Sequence, residues 1–143
     1  KKRAGTENLA AIVGMVSALK EDLNDQVEHY QKLSALKSVF LKEISDLDYY
    51  LNESQDQLPY VFNIGFPGQK NDLLLLRLDL EGISISTGSA CTAGIVQTSH
   101  VLEAFYGSDS HRLTESVRIS LSPLNTEEEL KQLAQTLIKI IGD

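Results

Sequence analysis

An α+β fold, a small antiparallel or mixed sheet packed on helices, is what three features of this chain predict. Apolar residues recur at helical spacing towards both ends, short central stretches alternate with the period of a strand, and no repeat or low-complexity segment interrupts them. With 143 residues, 42% of them hydrophobic, there is enough apolar material for one core, so residues 1–143 read as a single domain.

Leu9, Ile12, Val13, Val16 and Leu19 mark a first helix starting near Glu7, with Thr6 placed to cap it. The polar run from Glu21 to Asp25 reads as a break, after which Leu33, Leu36, Phe40, Ile44 and Leu47 draw the stripe of a second helix. Tyr60, Phe62, Ile64 and Phe66 alternate with smaller residues, the pattern of a half-buried strand closed by a Pro67-Gly68 turn. Asn71 can cap the leucine-rich run from Asp72 to Glu81, whose length and following Gly82 favour helix over strand.

Ile83 to Ser86 reads as a short strand, and Thr98 or Ser99 as the cap of a helix carrying Val101, Leu102 and Phe105. Val117, Ile119 and Leu121 alternate with Ser116, Arg118 and Ser120, which sets Arg118 among hydroxyls on one face of a strand ended by Pro123. Thr126-Glu127-Glu128-Glu129 has the form of a capping box with acidic residues at the positive end of the helix dipole. Leu130, Leu133, Ala134, Leu137 and Ile141 supply the buried stripe of that final helix.

Charge narrows the partners. A net charge of −7 with four scattered arginines argues against nucleic acid or an anionic membrane surface. No apolar run approaches the about 20 residues that span a bilayer, and no signal-peptide pattern opens the chain. A lone cysteine forms no internal disulfide and stays a thiol in a reducing compartment, so a cytoplasmic protein is expected. The chain opens on Lys-Lys-Arg and not on Met, and reads as a fragment.

Three side chains are candidates for chemistry. Cys91 stands between small residues, with Gly88 and Gly94 nearby, a context that presents a thiol where a structural cysteine has bulky apolar neighbours. Arg118 carries a planar fork of N–H donors that matches a carboxylate. The hydroxyl of Thr6, beside a helix N-terminus, suits either a helix cap or a phosphate ligand. His29, His100, His111 and Cys91 share no zinc-like spacing and no acidic cluster suggests a cation site, so no metal is expected. Neither Gly65 to Gly68 nor Gly88 with Gly94 has nucleotide-binding spacing.

Three stretches in order also carry a family resemblance: Arg3-Ala4-Gly5-Thr6-Glu7-Asn8, then Thr87-Gly88-Ser89-Ala90-Cys91-Thr92 followed by Ser99-His100-Val101-Leu102, then Ser116-Val117-Arg118-Ile119-Ser120-Leu121. They resemble the C-terminal part of the cysteine desulfurases, pyridoxal-phosphate enzymes related to the class V aminotransferases. The resemblance implies the small C-terminal domain of a fold-type I pyridoxal-phosphate transferase. It implies that Cys91 takes sulfur from L-cysteine as a persulfide, leaving L-alanine, and that Arg118 holds the substrate carboxylate. It further implies that Thr6 contacts the cofactor phosphate of a partner subunit in a homodimer. His100 matches as well, but reads as a residue hydrogen-bonded across the start of its helix. The sulfur acceptor it implies is an iron-sulfur scaffold or a tRNA-thiolation enzyme.

The family's Schiff-base lysine has no counterpart among the nine lysines here. By that resemblance the larger, lysine-bearing domain is absent, and this chain alone is expected neither to bind pyridoxal phosphate covalently nor to desulfurate cysteine. Gln97-Thr98 and Ser122-Pro123-Leu124 depart from the family's usual words at those places. Three alternatives stand beside this reading: a class V aminotransferase or lyase in which Cys91 is incidental, a selenocysteine lyase, and a stand-alone sulfur carrier.

Overall fold

A computed structural model describes residues 5–54, 56–88 and 98–142. The break expected at Glu21–Asp25 does not form. Helix α1 runs unbroken over Leu9–Glu43, 35 residues and about 52 Å at 1.5 Å per residue. Beyond Gly14 it contains neither glycine nor proline. Acidic and amide side chains alter which face is wet without ending the hydrogen-bond ladder. Its cap is Asn8, whose Oδ1 accepts from the Ala11 amide at 3.1 Å. Asn8 stands three residues before that amide, the reach of a cap side chain, so Thr6 lies outside the helix and does not cap it.

The sheet has three strands, β1 (Tyr50–Leu51), β2 (Val61–Gly65) and β3 (Ser116–Ser120), in the order β1-β2-β3 and antiparallel throughout. β1 is too short for a period of two to register in sequence. The expected strand at Ile83–Ser86 reduces to a single bridge, Ser86 with Arg118. Between these elements lie α2 (Asn71–Leu80), α3 (His100–Tyr106) and α4 (Arg112–Glu115), and α5 (Glu127–Gly142) follows the last strand. Asn71 is the first residue of α2 and not its cap. Its side-chain amide donates instead to the carbonyls of Leu113 (3.3 Å) and Ser116 (3.0 Å), tying α2 to the start of β3.

Period-2 alternation decides the sheet's faces. Phe62 and Ile64 of β2 and Val117 and Ile119 of β3 are buried against Leu33, Leu36, Phe40 and Ile44 of α1, Leu74 and Leu78 of α2, and Leu130, Leu133, Ala134 and Leu137 of α5. Phe40 meets Phe62 at 5.7 Å between ring centroids. At the end of α5 it is Ile140 that is buried, with Ile141 only partly so. The α5 capping box forms as read: the Glu129 amide donates to Thr126 Oγ1 (3.2 Å) and the Thr126 amide to Glu129 Oε2 (3.1 Å). Arg77 reaches from α2 to donate to the Ile140 carbonyl at 3.2 Å, a cation at the negative end of α5.

Among the described residues, the first half of α1 has no such partner. Leu9, Val13, Leu19, Leu23 and Val27 are all more than half exposed. The sheet's opposite face, bearing Asn63 and Arg118 as a cross-strand pair, is polar and carries the candidate site.

Candidate functional site

Arg118 stands on β3 with its backbone locked to Ser86 in both directions: the Ser86 amide donates to the Arg118 carbonyl (3.1 Å) and the Arg118 amide to the Ser86 carbonyl (2.7 Å). Its side chain is half-buried, and Nη2 donates to Ser86 Oγ at 3.2 Å. The expected placement of Arg118 among hydroxyls is therefore met by Ser86, from outside the strand, as well as by its own neighbours. Arg118 opens into a cleft of about 220 Å³ whose walls include Asn63 of β2, Asn52 just after β1, and Val101, Phe105 and Tyr106 from α3.

α3 is held at its start by Ser99, whose Oγ accepts from the Leu102 amide at 3.3 Å, as its sequence position predicted. At its end Gly107 takes a positive φ of 84°, a conformation that favours glycine, and its amide closes the helix on the Glu103 carbonyl at 2.8 Å.

Beside this cleft lies a polar cluster that sequence reasoning did not single out. The guanidinium of Arg112 on α4 lies over two rings, 4.1 Å from the centroid of Tyr50 and 4.5 Å from that of Tyr106. Its Nη1 donates to Asn52 Oδ1. The Asn52 amide group donates onward to Asn63 Oδ1 (2.6 Å) and Ser116 Oγ (2.9 Å). Tyr50 donates its hydroxyl to Glu115 Oε2 (3.3 Å), while Glu115 Oε1 accepts from the Gly68 amide (3.0 Å). Burial pushes the Tyr50 phenol above its ordinary value. A hydrogen bond with Ser116 works against that rise, and the Glu115 carboxylate adds to it. Asn63 could have been found as the polar residue between Phe62 and Ile64; nothing local marks Arg112 or Asn52.

The other expected site residues fall apart from this cleft. Thr6 is exposed ahead of α1 and does not line it. Cys91 lies outside the described residues. Among the described residues, no group of three or more His, Cys, Asp or Glu is placed to hold a metal ion, and no helix is long and apolar enough to cross a membrane. The described residues do not make a pyridoxal-phosphate site. No lysine lines the Arg118 cleft, and Lys37, Lys131 and Lys139 are paired with Glu53, Glu127 and Glu81.

A three-stranded antiparallel sheet packed on α1, α2 and α5, with a half-buried arginine in a cleft between its other face and α3, defines an α+β domain that presents a cationic fork. The model of the class-V aminotransferase family matches residues 1–133, and the chain belongs to that family. A Bacillus subtilis (strain 168) protein whose name includes the words cysteine desulfurase IscS 1 is 40% identical over 144 residues, which cover 99% of this chain and 38% of that protein. The cysteine desulfurase IscS of Dictyoglomus turgidum (strain DSM 6724 / Z-1310) is 36% identical, covering 98% of this chain and 36% of its own. The X-ray structure of a NifS-like protein from Rickettsia africae ESF-5 superposes with a TM-score of 0.79 at 27% identity, over 99% of this chain and 37% of that one. The chain thus spans little more than a third of the length of these relatives.

Proposed function

We propose that this chain is the C-terminal domain of a pyridoxal-phosphate-dependent cysteine desulfurase. Arg118 binds the carboxylate of L-cysteine, and Cys91 is the nucleophile. The observation that carries this reading is the pairing of Arg118 with Ser86. The strand that holds the anion-binding fork is joined there to the stem of the segment bearing Cys91. Cys91 follows Ser86 by five positions, and chain geometry limits that distance to about 18 Å.

In the net conversion the Cys91 thiol becomes a persulfide. The carbon–sulfur bond of cysteine breaks, a sulfur–sulfur bond forms, and the carbon left behind takes a proton to give L-alanine. The atoms balance with no outside oxidant. Pyridoxal phosphate would supply the electron withdrawal that this bond cleavage needs, and its Schiff-base lysine would belong to a larger domain outside this chain. On this reading Thr6 contacts the cofactor phosphate across a homodimer, and the 143 residues alone are inactive. The persulfide is passed in the cytoplasm to an iron-sulfur scaffold or a tRNA-thiolation enzyme.

The test is the intact mass of the full-length protein after exposure to L-cysteine with pyridoxal phosphate. A gain of one sulfur atom that maps to Cys91 and vanishes in Cys91→Ala is expected. A cofactor spectrum that responds to cysteine while Cys91 stays unmodified would overturn the assignment in favour of an aminotransferase or lyase.

A further inference from the structure

Resting on the reading of Arg118 as the carboxylate-binding residue, we infer that Arg112 is a positioning residue that sets the Arg118 cleft by clamping its two walls together. The walls come from separate elements. Asn52 and Asn63 belong to the sheet side and Tyr106 to the end of α3, and the short Gly107–His111 connection leads from α3 into α4. Arg112 touches both walls at once, with its guanidinium over the rings of Tyr50 of β1 and Tyr106 of α3 and its Nη1 donating to Asn52.

Three features favour positioning over plain stability. Arg112 as a residue is only partly buried and belongs to none of the core cluster, so its removal opens no deep cavity. The hydrogen bond to Asn52 is relayed to Asn63, the residue directly across from Arg118 in the β2–β3 register. The second relay, to Ser116, reaches the same strand two residues earlier. Arg112 therefore orders both the cross-strand and the same-strand neighbour of Arg118, while its stack on Tyr106 fixes how far α3 stands from them. Lysine cannot substitute here. It lacks the planar group that stacks on aromatic rings, and it offers a point charge where Arg112 offers a fork.

The experiment uses the full-length holoenzyme and compares the affinities of L-alanine and L-alaninamide, followed through the cofactor's absorbance. The two ligands differ only in the carboxylate, so their ratio reports Arg118 alone. In the wild type L-alanine binds more tightly, and Arg118→Ala abolishes the preference. Arg112→Ala is expected to reduce the preference about tenfold, the scale of one charge-assisted hydrogen bond, with alaninamide binding unchanged. Arg112→Lys is expected to fail to restore it. Tyr106→Leu, which removes one ring of the clamp, gives a smaller loss in the same direction and serves if Arg112→Ala does not fold. An undiminished preference in Arg112→Ala or Tyr106→Leu, or full restoration by lysine, overturns the positioning role while leaving Arg118 in place. If the wild type shows no preference for the carboxylate, the assignment of Arg118 fails and the role of Arg112 falls with it.

Discussion

The ring of Tyr50 lies so close over Gly65 that a Cβ on that glycine would meet Tyr50 Cζ at 2.2 Å. The two residues are partners in the β1–β2 register, and this contact lets Tyr50 lie flat across the sheet beneath Arg112. Glycine is required at position 65 by that approach, not by its backbone angles. Gly65→Ala must push the ring aside and is expected to destabilise the fold by about 1–3 kcal/mol, the range of overpacking. Urea denaturation checks it; an unchanged midpoint would mean the ring has another place to go.

Ser99 supplies the side-chain cap of α3, a helix of seven residues that forms one wall of the Arg118 cleft. Loss of an N-cap costs about 1 kcal/mol. Ser99→Ala is accordingly expected to speed amide exchange at Leu102 about fivefold, with exchange in α5 unaffected. Equal acceleration in both helices would point to global destabilisation instead.

The capping box of α5 gives a pH signature. The Glu129 carboxyl sits below its ordinary value of 4.5, held there first by the Asn125 side-chain amide and then by the Thr126 backbone amide. Because the folded state lowers this pKa, the stabilisation is complete above the ordinary glutamate value and is lost as pH falls through the lower folded one. The stability gap between wild type and Glu129→Gln should therefore be largest at neutral pH and shrink in acid. A gap independent of pH removes the carboxylate from the cap. Thr126→Ala, on the other side of the box, is expected to cost about 1 kcal/mol at any of these pH values.

Burial along α1 divides it into two energetic regimes. Phe40 is fully buried and packed at a tilt against Phe62, so Phe40→Ala is expected to cost about 3–5 kcal/mol. Val13, 67% exposed, contributes little to this domain, and Val13→Ala should stay within about 0.5 kcal/mol. Denaturation of the 143-residue chain carrying each change separates them, and comparable losses would show that the first half of α1 is covered.

For the proposed activity, Arg118→Lys keeps a charge and removes the fork. With the bidentate geometry gone, KM for L-cysteine in the full-length enzyme is expected to rise about tenfold or more, with kcat less affected. A fall in kcat at constant KM would place Arg118 in the chemical step and not in substrate binding.

Much of this domain is written locally in its residues. The stripe Leu130, Leu133, Ala134, Leu137 and the box Thr126–Glu129 define α5 because helical spacing and capping act over a few residues. The alternation around Arg118 likewise assigns it to the polar face, since a period of two leaves no other choice. Where polarity was read as a chain break, at Glu21–Asp25, the backbone simply continued, because solvated side chains do not interrupt a helix ladder. The tertiary structure alone decided which distant groups meet. Arg112 finds Asn52 across 60 residues and lies between Tyr50 and Tyr106, while Ser86 comes to Arg118 across 32. Spacing along a chain encodes which face a side chain takes; the partner on that face is set by how strands register and helices dock, and that is a property of the packed core.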